Sequence, residues 1–343
     1  MNLLPSAEQA QIIDSLRSFL VEQAPVSRFR PPAAQIGNSD AALWSQIGEL
    51  GFLGVSVAES QGGIGLGAKE DLLVHREFGR HLLSPSILAI SLAARLAAAC
   101  DATTLLAGLL AGSTHVALAN PRGPVKFGAA CSGDFHLFDS HDAPFVLSCW
   151  DQGPALFERG QFKGIANVLG TDNVVALERA TLESAKPLIW RPANEGRLYD
   201  HALLLAAAYA VGIAEATRDM AVDYAKVREQ FGKPIGSFQA VKHLCADMAI
   251  RAEAAMCQAA FAAATLAEDK VGAEFQATSA KIVATKAALE NAAQNIQVHG
   301  AIGFTSEADA HLYLKRAHVV DQLFGDQRTQ RVRLIDLPFP EAA

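Results

Sequence analysis

Long stretches of the chain repeat apolar side chains every three to four residues, the spacing that places them on one face of a helix. From about 197 to 228 no proline intervenes, and Leu204, Ala207, Ala208, Val211, Ala214, Ala221, Tyr224 and Ala225 recur at that spacing. The pattern predicts a helix there and others over roughly 237–267, 273–299 and 308–324. The first of these stops for a local reason. Gly232 and Pro234 do not continue a helix cheaply, and Lys226 and Arg228 suit a carboxyl end where backbone carbonyls gather negative charge. Ser237 is expected to cap the next helix, which carries Val241, Leu244, Cys245, Met248 and Ala252 along one face.

Residues 1–112 also read as helical, punctuated by Pro31-Pro32 and by the glycine-rich run from Gly62 to Gly67. Between 113 and 195 the texture changes. Short runs at His115–Ala119, Phe135–Phe138, Phe145–Ser148 and Val174–Leu177 alternate with Gly, Pro, Asp and Asn clusters, which predicts a β domain of roughly 75 residues. The connections after 196 are short, so the four later helices should pack antiparallel as a bundle, and the tail from Leu337 should be irregular. The expected organisation is a helical domain at 1–112, a middle β domain at 113–195 and a four-helix bundle at 196–343.

Composition narrows the function. A chain of 343 residues, half of them apolar, can bury a large core. A net charge of -7 and 29 Lys and Arg residues without a polybasic run argue against a nucleic-acid partner. Five cysteines lack CxxC spacing, which disfavours a disulfide framework or a zinc site and suits a reducing compartment. Glu8 and Asp14 interrupt any signal pattern at the amino end, and Arg95 and Asp101 interrupt the apolar stretch 87–112. The expectation is therefore a cytoplasmic protein with no metal and no membrane span.

The run from Arg228 to His243 is a charged, glycine-kinked bend between two apolar helices, a natural place to hold an anionic cofactor group. Read from spacing alone, an ordinary helical hairpin with a cationic end fits equally. The run resembles the FAD-binding helix hairpin of the acyl-CoA dehydrogenase family. Two further stretches resemble that family's signatures. Near the amino end these are Trp44, Glu49-Leu-Gly-Phe-Leu-Gly54 and Glu59-Ser-Gln-Gly-Gly63-Ile-Gly65; near the carboxyl end, Gln297–Phe304 and His311–Ala317.

The resemblance implies a mainly α fold with a small β domain, an N-terminal helical domain and a C-terminal bundle. It places FAD between the β domain and the bundle, with the hairpin of a neighbouring subunit reaching the pyrophosphate. Arg228 would donate to phosphate, Phe231 and Phe238 would pack beside the cofactor, and Gln239 would hydrogen-bond it. Gln297, His299 and Gly300 would lie along adenosine and pyrophosphate; as residues alone, they equally describe a helix end followed by glycine. A shared site implies a homo-oligomer or a heteromer with a glutamate-bearing acyl-CoA dehydrogenase.

Family members oxidise an acyl-CoA thioester to the α,β-enoyl form, a carboxylate taking the α proton while the β hydrogen leaves as hydride to the flavin. Aligned without gaps, the glutamate position before Gly325 holds Phe324. A second family location falls on Ala202 and Leu203, and neither supplies a base. Asp326 is the candidate stand-in, and His201 adjoins the second location. Asp200 matches an acidic residue near the substrate's pantetheine, and Gly325 is a further substrate contact. A solvated helix-end charge is the plain alternative for Asp326, Asp200 and His201. The family's Thr-Glu-Pro-Gly-Ala-Gly-Ser run is reduced to Ala119–Pro124. The resemblance thus implies an FAD-dependent acyl-CoA dehydrogenase passing electrons to an electron-transfer flavoprotein or another acceptor. The alternative is a non-catalytic subunit completing a sibling's flavin site; a ligand-free helical scaffold is the third.

Overall fold

The computed structural model describes residues 3–31, 41–127, 130–193 and 195–339, so Pro32 lies outside the described residues. Five helices come first: α1 (Ala7–Gln23), α2 (Ala41–Glu49), α3 (Ala68–Arg80), α4 (Ser86–Ala99) and α5 (Thr103–Leu110). Trp44 is buried on α2, and the glycine-rich run from Gly62 forms the loop into α3.

A mixed sheet follows, built from β1 (Val116–Pro121), β2 (Lys126–Phe127), β3 (Cys131–Phe138), β4 (Phe145–Trp150), β5 (Gly153–Glu158), β6 (Lys163–Asn167), β7 (Leu177–Ala185) and β8 (Ile189–Trp190). Its order is β6-β7-β3-β1-β4-β5-β8, with β1 and β4 parallel and β2 added beside β3. Alternation gives the sheet two faces. Leu118, Phe138, Leu147 and Leu156 point into the main helical core, whereas Ala119, Phe135, Leu137, Val146 and Phe157 form a second core on the opposite side.

One expected strand is corrected here. Residues Val174 and Val175 are not paired; they are buried in a turn, and β7 begins only at Leu177. The cause is Asp172, whose Oδ1 accepts the Val174 amide at 3.2 Å, a local turn that competes with extended pairing.

The carboxyl part holds α6 (Leu198–Val227), α7 (Gln239–Ala267), α8 (Ala273–His299) and α9 (Ala310–Gln322), close to the expected ranges. A further helix, α10 (Gln327–Asp336), has no expected counterpart. Ser237 is also corrected. It closes a short 3-10 turn, Ile235–Ser237, so α7 starts two residues later with Phe238 at the cap and no side-chain cap. The turn is set by the Ile235 amide donating to the Arg228 carbonyl at 2.8 Å, which commits this stretch to the hairpin.

Small residues let the helices approach closely. A Cβ on Gly79 would lie 2.0 Å from the Tyr209 carbonyl, and one on Gly212 would lie 2.0 Å from that of Arg76, so α3 and α6 cross in near-backbone contact. Among the described residues no helix is long and apolar enough to cross a membrane.

Candidate functional site

The charged bend after α6 is a two-strand hairpin, β9 (Glu229–Gln230) against β10 (Lys233–Pro234). Its turn residues, Phe231 and Gly232, have φ of +54° and +76°, the sign pattern of a type I′ turn. Glycine adopts this freely, whereas a phenylalanine there is strained. Phe231 is nonetheless 90% exposed, edge-on to Phe238 at 6.1 Å, with the Lys233 ammonium 4.5 Å above the Phe238 ring. Arg228 is exposed at the end of α6 and, among the described residues, makes no ion pair. Gln239 is exposed at the start of α7.

Gln297, His299 and Gly300 come to the same end of the bundle. The His299 ring stacks on Tyr224, one turn before Arg228, at 4.1 Å and 22°, and its Nδ1 lies 2.9 Å from the Asn295 carbonyl. Val298 packs with Ala221, Ala225 and Met248 beneath. Gly300 has φ +65° and nothing within 4 Å of where a Cβ would lie, so backbone here is open to a close-lying ligand. An unpaired guanidinium beside approachable backbone fits the phosphates of a dinucleotide such as FAD.

A separate cleft of about 380 Å³ opens between the sheet and α9. Its floor is apolar, with Phe138, Val175, Leu177 and Val319; Asn120, Arg122, His136, His318 and Gln322 supply polar groups. Asn120, Pro121 and Arg122 of the shortened run form one wall, and among the described residues no hairpin residue lines it. Burial and then the neighbouring Arg122 charge push His136 below the usual imidazole range.

The expected base position is filled by the apolar ring of Phe324. Its side chain is buried in the helical core and its φ is +58°, followed by Gly325 at +95°. The Phe324 carbonyl accepts the Tyr199 hydroxyl at 2.7 Å and the Gln330 amide at 2.6 Å, which fixes the bend. Asp326 is the N-cap of α10. Its Oδ1 accepts the Thr329 amide at 2.8 Å and hydroxyl at 2.6 Å, and these bonds hold the carboxyl below its ordinary range.

Asp200 is only 5% exposed and is bound to Arg333 at 2.9 Å. Burial raises its carboxyl while Arg333 opposes the shift. That guanidinium also sits 4.5 Å over the Tyr199 ring, so Asp200 joins the group that holds the Phe324 bend. His201 lies against Arg95, whose Nη2 is 2.9 Å from its Nε2, and Arg95 also pairs with Asp71 at 3.1 Å. A guanidinium only donates, so Nε2 must accept and the ring proton sits on Nδ1. Burial pushes this imidazole well below its usual range, and its basic nitrogen is already occupied. Arg95 reads in sequence only as a charge interrupting an apolar stretch and Arg333 carries no signal, because their partners, Asp71, His201 and Asp200, lie on other elements.

Residues 6–103 match the acyl-CoA dehydrogenase N-terminal domain model and residues 190–335 the acyl-CoA dehydrogenase C-terminal domain model. The chain is 38% identical over 296 residues to acyl-CoA dehydrogenase FadE34 of Mycobacterium tuberculosis, spanning 84% of this chain but only 41% of that protein. It is 31% identical over 335 residues to acyl-CoA dehydrogenase IpdE2 of the same organism, spanning 97% of this chain and 98% of that one. Among solved structures, the ChsE4-ChsE5 complex from Mycobacterium tuberculosis superposes with a TM-score of 0.83 at 23% identity, covering 99% of this chain and 100% of the other. A Tcur3481-Tcur3483 steroid ACAD variant gives 0.82 at 26%, covering 96% and 97%.

Proposed function

The chain belongs to the acyl-CoA dehydrogenase family, and on that premise we propose that it is a flavin-site-completing subunit of a heteromeric, FAD-dependent acyl-CoA dehydrogenase. The observation that carries this reading is the buried Phe324 in the base position, flanked by a bend that tyrosine and glutamine hold rigid. The hairpin end keeps its unpaired arginine, exposed aromatic tip and open glycine, although none of these lines the cleft of its own chain. Such a chain can lend Arg228, Phe231, Phe238, Gln239, Gln297, His299 and Gly300 to a neighbour while the neighbour supplies the carboxylate. Bound FAD would accept the β hydride of the thioester. This chain's own residues would bind its diphosphate, orient it and exclude water around it. Two of the structural relatives are pairs of differently named chains, in keeping with a heteromer.

A second reading has one observation in its favour. Asp326 directly follows Gly325 and is held ionised, so a loop shift could present it to the α proton, making the chain a dehydrogenase by itself. Purified alone and then co-purified with a glutamate-bearing dehydrogenase, the chain separates the two. Acyl-CoA oxidation only in the mixture, with flavin retained there, is the expected result; turnover by the single chain removes the first reading. An assembly that never retains FAD removes both.

A further inference from the structure

The turn after the hairpin lies close against α6 because residue 236 is glycine: a Cβ there would stand 2.9 Å from the Ala225 carbonyl. Small side chains leave room beside that contact. Val222 and Ala225 on α6, Pro234 of β10 and Cys245 on α7 line a groove of about 400 Å³, with Lys226 and Lys242 on its walls. Val222, Ala225 and Lys226 are spaced to share one side of α6, and Lys242 and Cys245 one side of α7. Among the described residues the groove shares no lining residue with the cleft between the sheet and α9, and none of the residues offered to a neighbour's flavin lines it.

The lining is apolar except for the two ammonium groups, and among the described residues no carboxylate lines it. Lys226 pairs with Asp223 at 3.3 Å on the exposed surface, whereas Lys242 makes no ion pair among the described residues. Residues 222–245 carry Lys226, Arg228, Lys233 and Lys242 against Asp223 and Glu229, a local excess of positive charge in a chain of net charge -7. An unmatched ammonium beside apolar surface fits a ligand whose hydrocarbon tail covers the floor while an anionic head meets the lysine. Cys245 is half-buried in this wall, and burial raises its thiol, so it packs as an apolar side chain rather than acting as a nucleophile.

We propose that this groove binds a medium-chain carboxylate, a free fatty-acid anion, with its alkyl chain along Val222, Ala225, Pro234 and Cys245 and its carboxylate at Lys242, Lys226 standing second. The volume falls at the lower end of small-molecule sites, which suits a single short alkyl chain. Exposed ammonium–carboxylate pairs are weak, so the methylene groups supply most of the affinity and the lysines supply the preference for an acid over an alcohol. The walls come from α6, β10 and α7, so the bound chain bridges two bundle helices and the root of the hairpin. The site lies apart from the proposed flavin contacts, and the inference stands whichever chain supplies the base.

The test uses the full chain, alone and co-purified with its glutamate-bearing partner, as wild type, K242Q and K226E/K242E. Hexanoate, octanoate, decanoate and decanol are titrated by calorimetry, and alkylation of Cys245 and Cys257 by iodoacetamide is followed by peptide mass spectrometry. Thermal melts of the variants should match wild type, because both lysines are exposed. Each added methylene should tighten binding by about fourfold. K242Q should weaken decanoate binding by about two- to fivefold and the double charge reversal by about tenfold, while neither variant changes decanol binding. Decanoate at about ten times its Kd should slow alkylation of Cys245 by roughly tenfold. Cys257 is exposed and does not line the groove, so its alkylation rate should not change. Failure to bind decanoate, equal affinity in wild type and the double variant, or an alcohol bound as tightly as the acid overturns the proposal. Decanoate bound with Cys245 unprotected overturns it by placing the ligand elsewhere. Binding by the free chain that vanishes in the complex also overturns it, since the partner then covers the groove.

Discussion

The Arg316 guanidinium lies 2.6 Å from the Asp172 carboxylate, and both side chains are only 1% exposed. Arg316 also donates to the carbonyls of Leu82 and Leu83, at 2.7 and 2.6 Å, and to the Tyr209 hydroxyl at 2.7 Å. One side chain on α9 therefore ties the corner between α3 and α4, the middle of α6 and the turn leading into β7. It sets how the sheet sits against the bundle, and hence the width of the cleft.

Breaking this pair by removing one partner leaves a buried charge uncompensated. Arg316→Met should therefore lower stability by about 3–5 kcal/mol in denaturant unfolding. Asp172→Asn alone should also destabilise, and adding it to Arg316→Met should cost much less than the sum of the two. Additive effects in that double-mutant cycle would mean that the two side chains act independently.

Lys281, buried on α8, donates to the Val320 and Asp321 carbonyls at 2.7 and 3.1 Å, satisfying the carboxyl end of α9. Burial drops its ammonium from 10.5 to about 8. The unfolded chain thus binds a proton between about pH 8 and 10.5 that the folded chain has released, so this group's contribution to stability increases as pH rises through that window. The gap corresponds to roughly 3 kcal/mol at most. Lys281→Met should remove this rise, which urea midpoints at pH 7.5, 9 and 10 would record. A variant with the wild-type pH slope would show that the lysine is not the responsible group.

Helical periodicity disclosed α6 to α9 because alanine and leucine recur where those helices bury a face, and the hairpin motif carried its own turn chemistry in Gly232. What escaped had other causes. α10 has almost no apolar repeat in Gln327–Asp336, and its start is set by the Asp326 cap rather than by a buried stripe. Val174 and Val175 look like a strand because β-branched pairs favour extension, yet one aspartate bonding two residues ahead wins locally. Asp200 reads as a substrate contact by resemblance, or as a plain helix-end charge; its pairing with Arg333, 133 residues away on α10, is not visible in the local sequence.

Asp326 offers a clean separation of cap from base. Serine caps helices about as well as aspartate but takes no proton near neutral pH. Asp326→Ser should keep the melting temperature within a few degrees. If the partner supplies the base, acyl-CoA oxidation by the assembled complex should also be unchanged. A fall of 10²–10⁴-fold in kcat at preserved stability would instead identify Asp326 as the proton acceptor.

Phe231 sits where the backbone prefers glycine or asparagine, and its ring is 90% exposed, so neither conformation nor burial within this chain explains it. Within the chain the ring gains only an edge contact with Phe238, so strain kept at this exposed tip points to a role in contact with another molecule. Phe231→Asn relieves the left-handed strain and should stabilise the isolated chain by about 1 kcal/mol, seen as a rise of a few degrees in Tm. The same change removes the aromatic surface offered to a neighbour's flavin, so the assembled complex should retain less FAD per protomer. Arg228→Ala should compound that loss, raising the flavin Kd by roughly 10- to 100-fold with a weaker salt dependence, as expected when a charge-assisted phosphate contact is deleted. Stabilisation of the free chain together with flavin loss in the complex is the paired signature of a tip built for a partner. If Phe231→Asn raises Tm but leaves flavin content and complex mass untouched, the tip contacts no cofactor and Phe231 leaves the proposed site.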